Sequence, residues 1–347
     1  MDEVNVRSQY VGQKLSGVAW CNCDAQPSTF ATGSWDEPSD NAVTLWQLNE
    51  QQQTHNDDAH QWDPFTKLSS YNVGADVTGL CFLDSTRLLV SAGRGVALLA
   101  APNEANAQLH RTAHWPTLHS KQCTAFSVDG SELVTVGNDG CVRVLDVRRP
   151  SVSVTPSVND QRPLTSCCCC AHVASGHVHV CDVRAPTPPA ACAFVAASSG
   201  VTSVAARPAQ PHLVAVGGRS GALAFVDLRQ LSDTTPDTIQ LADAPVWQIK
   251  FHAQYQENGF SCDDDGVVLH WDLSAFRDAN IGNERLGAGS GPSAWLTCAD
   301  VLCERLRLTS VLPDHGCPVN AIDVADTRLL AATDAMSVLL VDRLLLQ

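Results

Sequence analysis

A short unit recurs along this 347-residue chain: a turn-forming step, an apolar strand, and often a closing aspartate. Its clearest copies are NDGCVRVLDVR (Asn138–Arg148), SGHVHVCDVR (Ser175–Arg184), RSGALAFVDLR (Arg219–Arg229) and DDGVVLHWDLS (Asp264–Ser274). The closing aspartates Asp146, Asp182, Asp227 and Asp272 stand 36, 45 and 45 residues apart. A period near 40 that ends in Trp-Asp, or an eroded form of it, marks the blades of a WD-repeat propeller. One such unit cannot bury its own faces, so the period constrains the whole chain rather than one segment.

Seven sets of strands can be read, and the expected fold is all-β: a single seven-bladed β-propeller over residues 1–347. Inner strands, covered on both sides by neighbouring blades, should read as apolar runs rather than alternations. GVAWC (Gly17–Cys21), DVTGLCFL (Asp76–Leu83) and VNAIDV (Val319–Val324) fit that description. The chain stops after the third strand of the seventh set and opens with VNVRSQYVGQ (Val4–Gln13) ahead of the first. The N-terminal strand is therefore expected to complete the last blade and close the ring, removing an exposed sheet edge. Two loop insertions are expected, one near 49–70, polar and rich in Gln, Asp and His, and one near 277–296, rich in Gly and Asn. The LTSVLP stretch (Leu308–Pro313) after the second should supply the outer strand of blade six.

Charge narrows the functional classes. The formal net charge is −15, from 22 basic and 37 acidic residues. Phosphate binding needs clustered Lys and Arg, and no such cluster occurs, so direct nucleic-acid binding is not expected. An acidic surface suits a protein partner with a basic or mixed face. The N-terminus lacks the apolar core of a signal peptide, and no run approaches the roughly 18 apolar residues of a membrane span. The 15 cysteines are accordingly read as thiols of a reducing compartment.

Chemistry-bearing motifs are sparse. Cys167 to Cys170 with His172, His177, His179 and Cys181 form a ligand-like group, but strand neighbours point to opposite faces and cannot converge on one ion. These cysteines are read as small buried hydrophobes. Asp263, Asp264 and Asp265 with Gly266 lack the alternate ligands and terminal Glu of a calcium loop, and read as a blade turn. No GxSxG, HExxH or phosphate-cradling glycine loop is present. Neither catalysis nor a cofactor, metal or small-molecule substrate is expected. At the closing aromatic position stand Trp46, Ala100, Leu145, Cys181, Val226, Trp271 and Leu340, so the polar tether of the full signature is missing from most blades and apolar packing must replace it. The remaining clue is tryptophan, a residue enriched in binding hot spots. Trp62, Trp295, Trp247, Trp35 and Trp115 are the candidate partner-binding residues.

The segment TFATGSWDEPSDNAVTLWQL (Thr29–Leu48) resembles the first blade of the forty-three-kilodalton WD-repeat nucleoporin family of the nuclear pore's Y-shaped scaffold complex. Supporting stretches are YVGQKLSGVAW (Tyr10–Trp20), PVWQIKFH (Pro245–His252), SCDDDGVVLHWD (Ser261–Asp272) and ATDAMSVLLVDRLL (Ala332–Leu345). That resemblance implies a non-enzymatic scaffold subunit at the nuclear envelope. It would dock on a helical-solenoid nucleoporin of the Y-complex short arm, support pore assembly, mRNA export and protein transport, and visit kinetochores in mitosis. An alternative is a substrate receptor of a cullin ubiquitin ligase, motivated by the D-x-R endings Asp146/Arg148, Asp182/Arg184 and Asp227/Arg229. A third reading is a histone-tail reader, for which only Trp247 stands near a channel mouth.

Overall fold

The computed structural model describes residues 5–22, 28–49, 63–101, 108–148, 163–168, 171–174, 177–180, 191–194, 200–208, 210–229, 238–273, 306–314 and 316–346. Every regular element among them is a β-strand. In chain order these are β1 (Asn5–Tyr10), β2 (Leu15–Trp20), β3 (Thr29–Ser34), β4 (Ala42–Leu48), β5 (Phe65–Asn72), β6 (Val77–Asp84), β7 (Arg87–Ala92), β8 (Gly95–Ala100) and β9 (His110–Trp115). There follow β10 (Cys123–Asp129), β11 (Glu132–Gly137), β12 (Val142–Asp146), β13 (Leu164–Cys168), β14 (Ala171–Ala174), β15 (His177–Val180), β16 (Ala191–Phe194), β17 (Val201–Arg207), β18 (Gln210–Gly218) and β19 (Ala222–Asp227). The last are β20 (Thr238–Gln240), β21 (Val246–Phe251), β22 (Asn258–Asp263), β23 (Val268–Asp272), β24 (Arg307–Leu312), β25 (Val319–Ala325), β26 (Arg328–Thr333) and β27 (Ser337–Asp342).

These strands make the meandering sheets of a propeller: β2 to β5, β6 to β9, β13 to β16, β17 to β20, β21 to β24, and the order β1-β27-β26-β25. Of the seven four-stranded blades that the sequence period predicts, six are present among the described residues, and the count is corrected accordingly. The remaining sheet, β10-β11-β12, has three strands, and residues 149–162 after it lie outside the described ones. The chain divides into two compact units, Met1–Cys123 with Cys317–Leu344, and Thr124–Gly316 with Leu345–Gln347.

In the first unit, β1 pairs antiparallel with β27 from Asn5↔Asp342 to Tyr10↔Ser337. It is the fourth strand of that sheet, as expected from the sequence. Side chains lock it in place: Arg7 forms an ion pair with Asp342, and Gln9 Oε1 accepts the Phe65 amide at 2.8 Å. That last contact exposes a misreading. The 49–70 segment expected as a loop is strand from Phe65 onward, paired to β4 from Leu48↔Phe65 to Ala42↔Asn72. Its burial explains why, since Phe65 and Ser69 turn inward while Thr66, Lys67 and Leu68 face solvent. Residues 50–62 of the insertion and all of 277–296 lie outside the described residues.

Phe65 completes an aromatic core with Trp20, Phe30 and Trp46. Phe30 meets Trp20 and Phe65 edge-on at centroid distances of 5.5 and 4.9 Å and stacks on Trp46 at 6.4 Å. Each such ring contributes about 1.5–3 kcal/mol by leaving water. Trp46 also donates its indole N–H to Thr32 Oγ1 at 2.9 Å, so the polar tether survives where the closing Trp survives.

The second unit repeats the pattern. Trp271 is fully buried against Phe225 and Phe251 and donates to Ser261 Oγ at 3.2 Å. Leu145 and Val226, standing at that same position in other blades, are buried apolar residues, as is Leu340 in the first unit. Cys167 packs with Val134, Val136, Val142 and Leu164, whereas Cys168 packs in a separate cluster with Val178, Val201 and Val214. The consecutive thiols thus face opposite sides of β13, as a two-residue period requires.

A second tether, absent from the sequence reading, links sheet to sheet. The second residue of an inner strand donates its side chain to the carbonyl of the first residue in the next sheet's inner strand. Within the first unit, Ser16 Oγ reaches Val77 O at 2.6 Å and Asn320 Nδ2 reaches Leu15 O at 2.8 Å. Within the second, Thr124, Thr165 and Thr202 hydroxyls reach the carbonyls of Leu164, Val201 and Val246 at 2.6, 2.9 and 2.5 Å. Close approach accompanies the bond. A Cβ on Gly33 would lie 2.4 Å from Val77 Cγ1, and one on Gly217 would lie 2.8 Å from Val246 Cγ1.

Two outcomes test this account. Thr202→Val keeps the shape but orphans the Val246 carbonyl, and should cost about 1–3 kcal/mol in denaturant unfolding, while Thr202→Ser should retain most of the stability. His270, buried and bonded through Nε2 to Asn258 Oδ1 at 2.8 Å, has its pKa lowered by burial first and by the Arg307 charge against the opposing pull of Asp272. The unfolded chain therefore binds the extra proton more readily than the native one. Stability should fall as pH drops below about 6.5, the ordinary imidazole value, and His270→Gln should flatten that slope.

Candidate functional site

The five candidate tryptophans fare differently. Trp62 and Trp295 lie outside the described residues. Trp115, expected in a loop, is instead the last residue of β9 and only 5% exposed, paired with Val96 and unable to offer its ring to a partner. Trp35 and Trp247 are both partly exposed, and both stand where an inner strand begins and the following strand pair turns.

Trp35 follows β3, and its amide bonds the Lys14 carbonyl at 3.0 Å. The next residue, Asp36, turns the chain with φ at +79°, a region costly for a residue with a side chain. Asp76 accepts the Asp36 amide at 3.1 Å and Asn41 Nδ2 at 2.8 Å, fixing that turn. The Trp35 indole N–H is held by Asp334 Oδ1 at 3.1 Å, and the same oxygen takes Asn320 Nδ2 at 2.7 Å. Asn320 is also a tether residue, so the fold itself aims the carboxylate. Over the ring sits Lys14 Nζ, 5.4 Å from its centroid and 2.6 Å from Asp36 Oδ2. The bond to Asp36 raises the Lys14 pKa, so the ammonium stays charged.

Trp247 occupies, in β21, the place that Ser, Thr or Asn takes in the tethered inner strands. Its indole N–H is bonded to Asp264 Oδ1 at 2.9 Å. Asp264 and Asp265 are exposed, whereas Asp263 is buried and its carboxyl pKa is raised by that burial. Asp263 Oδ1 accepts the Val267 amide at 2.8 Å, and Gly266 takes φ +88°. The DDDG run is thus a blade turn. Sequence reasoning missed the carboxylates that orient both rings, Asp334 and Asp264. Their signal was the aspartate directly after a second strand, in ATDAM and CDDDG.

Among the described residues, no group of three or more His, Cys, Asp or Glu is arranged to hold a metal ion, and no helix is long and apolar enough to cross a membrane. The D-x-R endings serve themselves: Arg229 grips Asp227 at 2.6 and 3.0 Å, and the Arg148 amide bonds Asp146 Oδ1 at 2.9 Å. Asp182 and Arg184 lie outside the described residues. Trp35 and Trp247 each present a partly exposed ring whose indole N–H is held by a carboxylate.

No family model matches the chain. It is 26% identical over 381 aligned residues to the protein named nucleoporin Nup43 of Mus musculus, covering 96% of this chain and 97% of that one. Against nucleoporin Nup43 of Homo sapiens it is 26% identical over 391 residues, with the same coverage. The nuclear pore complex protein nup43 of Dictyostelium discoideum is 22% identical over 169 residues, spanning 45% of this chain and 38% of that protein. The resemblance first carried by FATGSW therefore extends along nearly the whole length.

The Trp35 arrangement makes a prediction. Trp35→Phe retains the ring but removes the donor to Asp334, and should lower stability by about 1 kcal/mol in denaturant titration. Asp334→Ala, which removes an acceptor from both Trp35 and Asn320, should cost more.

Proposed function

We propose that this chain, similar over nearly its whole length to nucleoporin Nup43, is a non-enzymatic scaffold nucleoporin at the nuclear pore. In this reading its sheets form one propeller ring closed by β1. It serves as a subunit of the Y-shaped outer-ring complex, docks on a helical-solenoid nucleoporin of the short arm, and supports pore assembly, mRNA export and protein transport, with a kinetochore role in mitosis. The observation that carries the proposal is the full-length match to two proteins named as nucleoporins, covering 97% of each. The geometry is consistent with it. Rigid sheets tethered side to side suit a component whose work is to hold a position, and the partly exposed tryptophans beside carboxylates suit protein recognition.

The cullin-receptor reading finds no comparable support, because the Arg229 side chain it would need is held by Asp227 in the same motif. A fluorescently tagged copy should label the nuclear rim in interphase, and affinity capture should recover helical nucleoporins. A tagged chain spread evenly through the nucleoplasm or cytoplasm, with no nucleoporin captured, would refute the proposal.

A further inference from the structure

We infer that the second unit docks its partner through the end of its sheets where the inner strands begin, with Trp247 as the anchor and a lysine- or arginine-bearing segment as the occupant. This deepens the scaffold reading and rests on it. Strand register fixes which residues share that end. Val246 pairs with Asp263 and Val201 with Gly218, so the turns at 138–141, 219–221 and 264–267 lie there with the 241–245 connection. Those segments contain Asp139, Asp243, Asp264 and Asp265 and one basic residue, Arg219.

The opposite end of the same unit is built otherwise. There Arg207 bonds Glu257 at 2.8 Å with both side chains largely buried, and Arg229 bonds Asp227 at 2.6 Å. The turns beside Trp247 thus carry more carboxylates than cations. A basic partner surface is attracted there.

Trp247 supplies the independent argument. Thr124, Thr165 and Thr202 show what the second position of an inner strand does for the fold in this unit, namely bond the next carbonyl. Trp247 instead directs its N–H to an exposed turn aspartate, leaving a ring partly open to solvent. A partly exposed ring bonded to Asp264, with exposed Asp265 next in the chain, suits an incoming ammonium or guanidinium, which the ring quadrupole and the carboxylates attract together.

The test uses the full chain to capture helical nucleoporins from a nuclear-envelope extract at fixed salt, with thermal unfolding as a check on each variant. Trp247→Ala and the doubly neutralised Asp264→Asn/Asp265→Asn should each reduce capture about tenfold or more, the loss expected of a hot-spot residue. Arg229→Ala, at the opposite end, should leave it unchanged. Zero-length carbodiimide coupling of the captured complex should join Asp243 or Asp265 to partner lysines. If nucleoporins are captured equally well by all variants, or couple only through Asp227 and the opposite end, the inferred face is wrong while the scaffold reading stands. If the unaltered chain captures none, the scaffold reading fails and this inference falls with it.

Discussion

Within each unit, neighbouring sheets are held in register by one small interaction, the bond from the second side chain of an inner strand to the first carbonyl of the next. Packing alone would allow sheets to slide, because apolar contact is non-directional. A hydroxyl that must meet one particular carbonyl fixes the offset. Net of lost water contacts, each bond contributes only about 1 kcal/mol, yet breaking it leaves a buried acceptor unmet, which costs more. The alternation of Ser16, Thr124, Thr165, Thr202 and Asn320 with apolar neighbours therefore acts as a spacing rule for the scaffold.

That rule also explains how the eroded repeats persist. The full WD signature ties the closing Trp to a Ser or Thr within one blade, and here only Trp46 and Trp271 do so. Elsewhere Leu145, Val226 and Leu340 fill the same space with aliphatic side chains. Burial of each is worth about as much as the lost hydrogen bond or more, so the interior tolerates the exchange. Glycine at Gly33 and Gly217 lets the neighbouring strand approach closely enough for the tether to form.

Much of the architecture was legible from sequence because it rests on periodicity. The inner and middle strands, the return of β1 to β27, and the β24 strand at LTSVLP followed from apolar runs and spacing. What was illegible depended on local context. The part of β5 within 49–70 looked like loop because Thr66, Lys67 and Leu68 form its outer face, and three exposed residues in succession mask the alternation. Trp115 looked free because its neighbours are polar, while its ring turns inward at the strand end. At the candidate site the tryptophans were visible but their partners were not. Asp334 lies 299 residues from Trp35, and only the return of the last strands to the first brings them together.

The pairing of β1 with β27 has a further consequence for biosynthesis. These strands lie 335 residues apart where Arg7 meets Asp342. On a translating ribosome, β1 has no partner until β27 has followed. The sheet it belongs to matures after the hairpins between them, and closing so long a loop carries an entropic cost that local hairpins avoid. Until then β1 is an unsatisfied edge, and the nascent chain has most to gain from a chaperone during that interval.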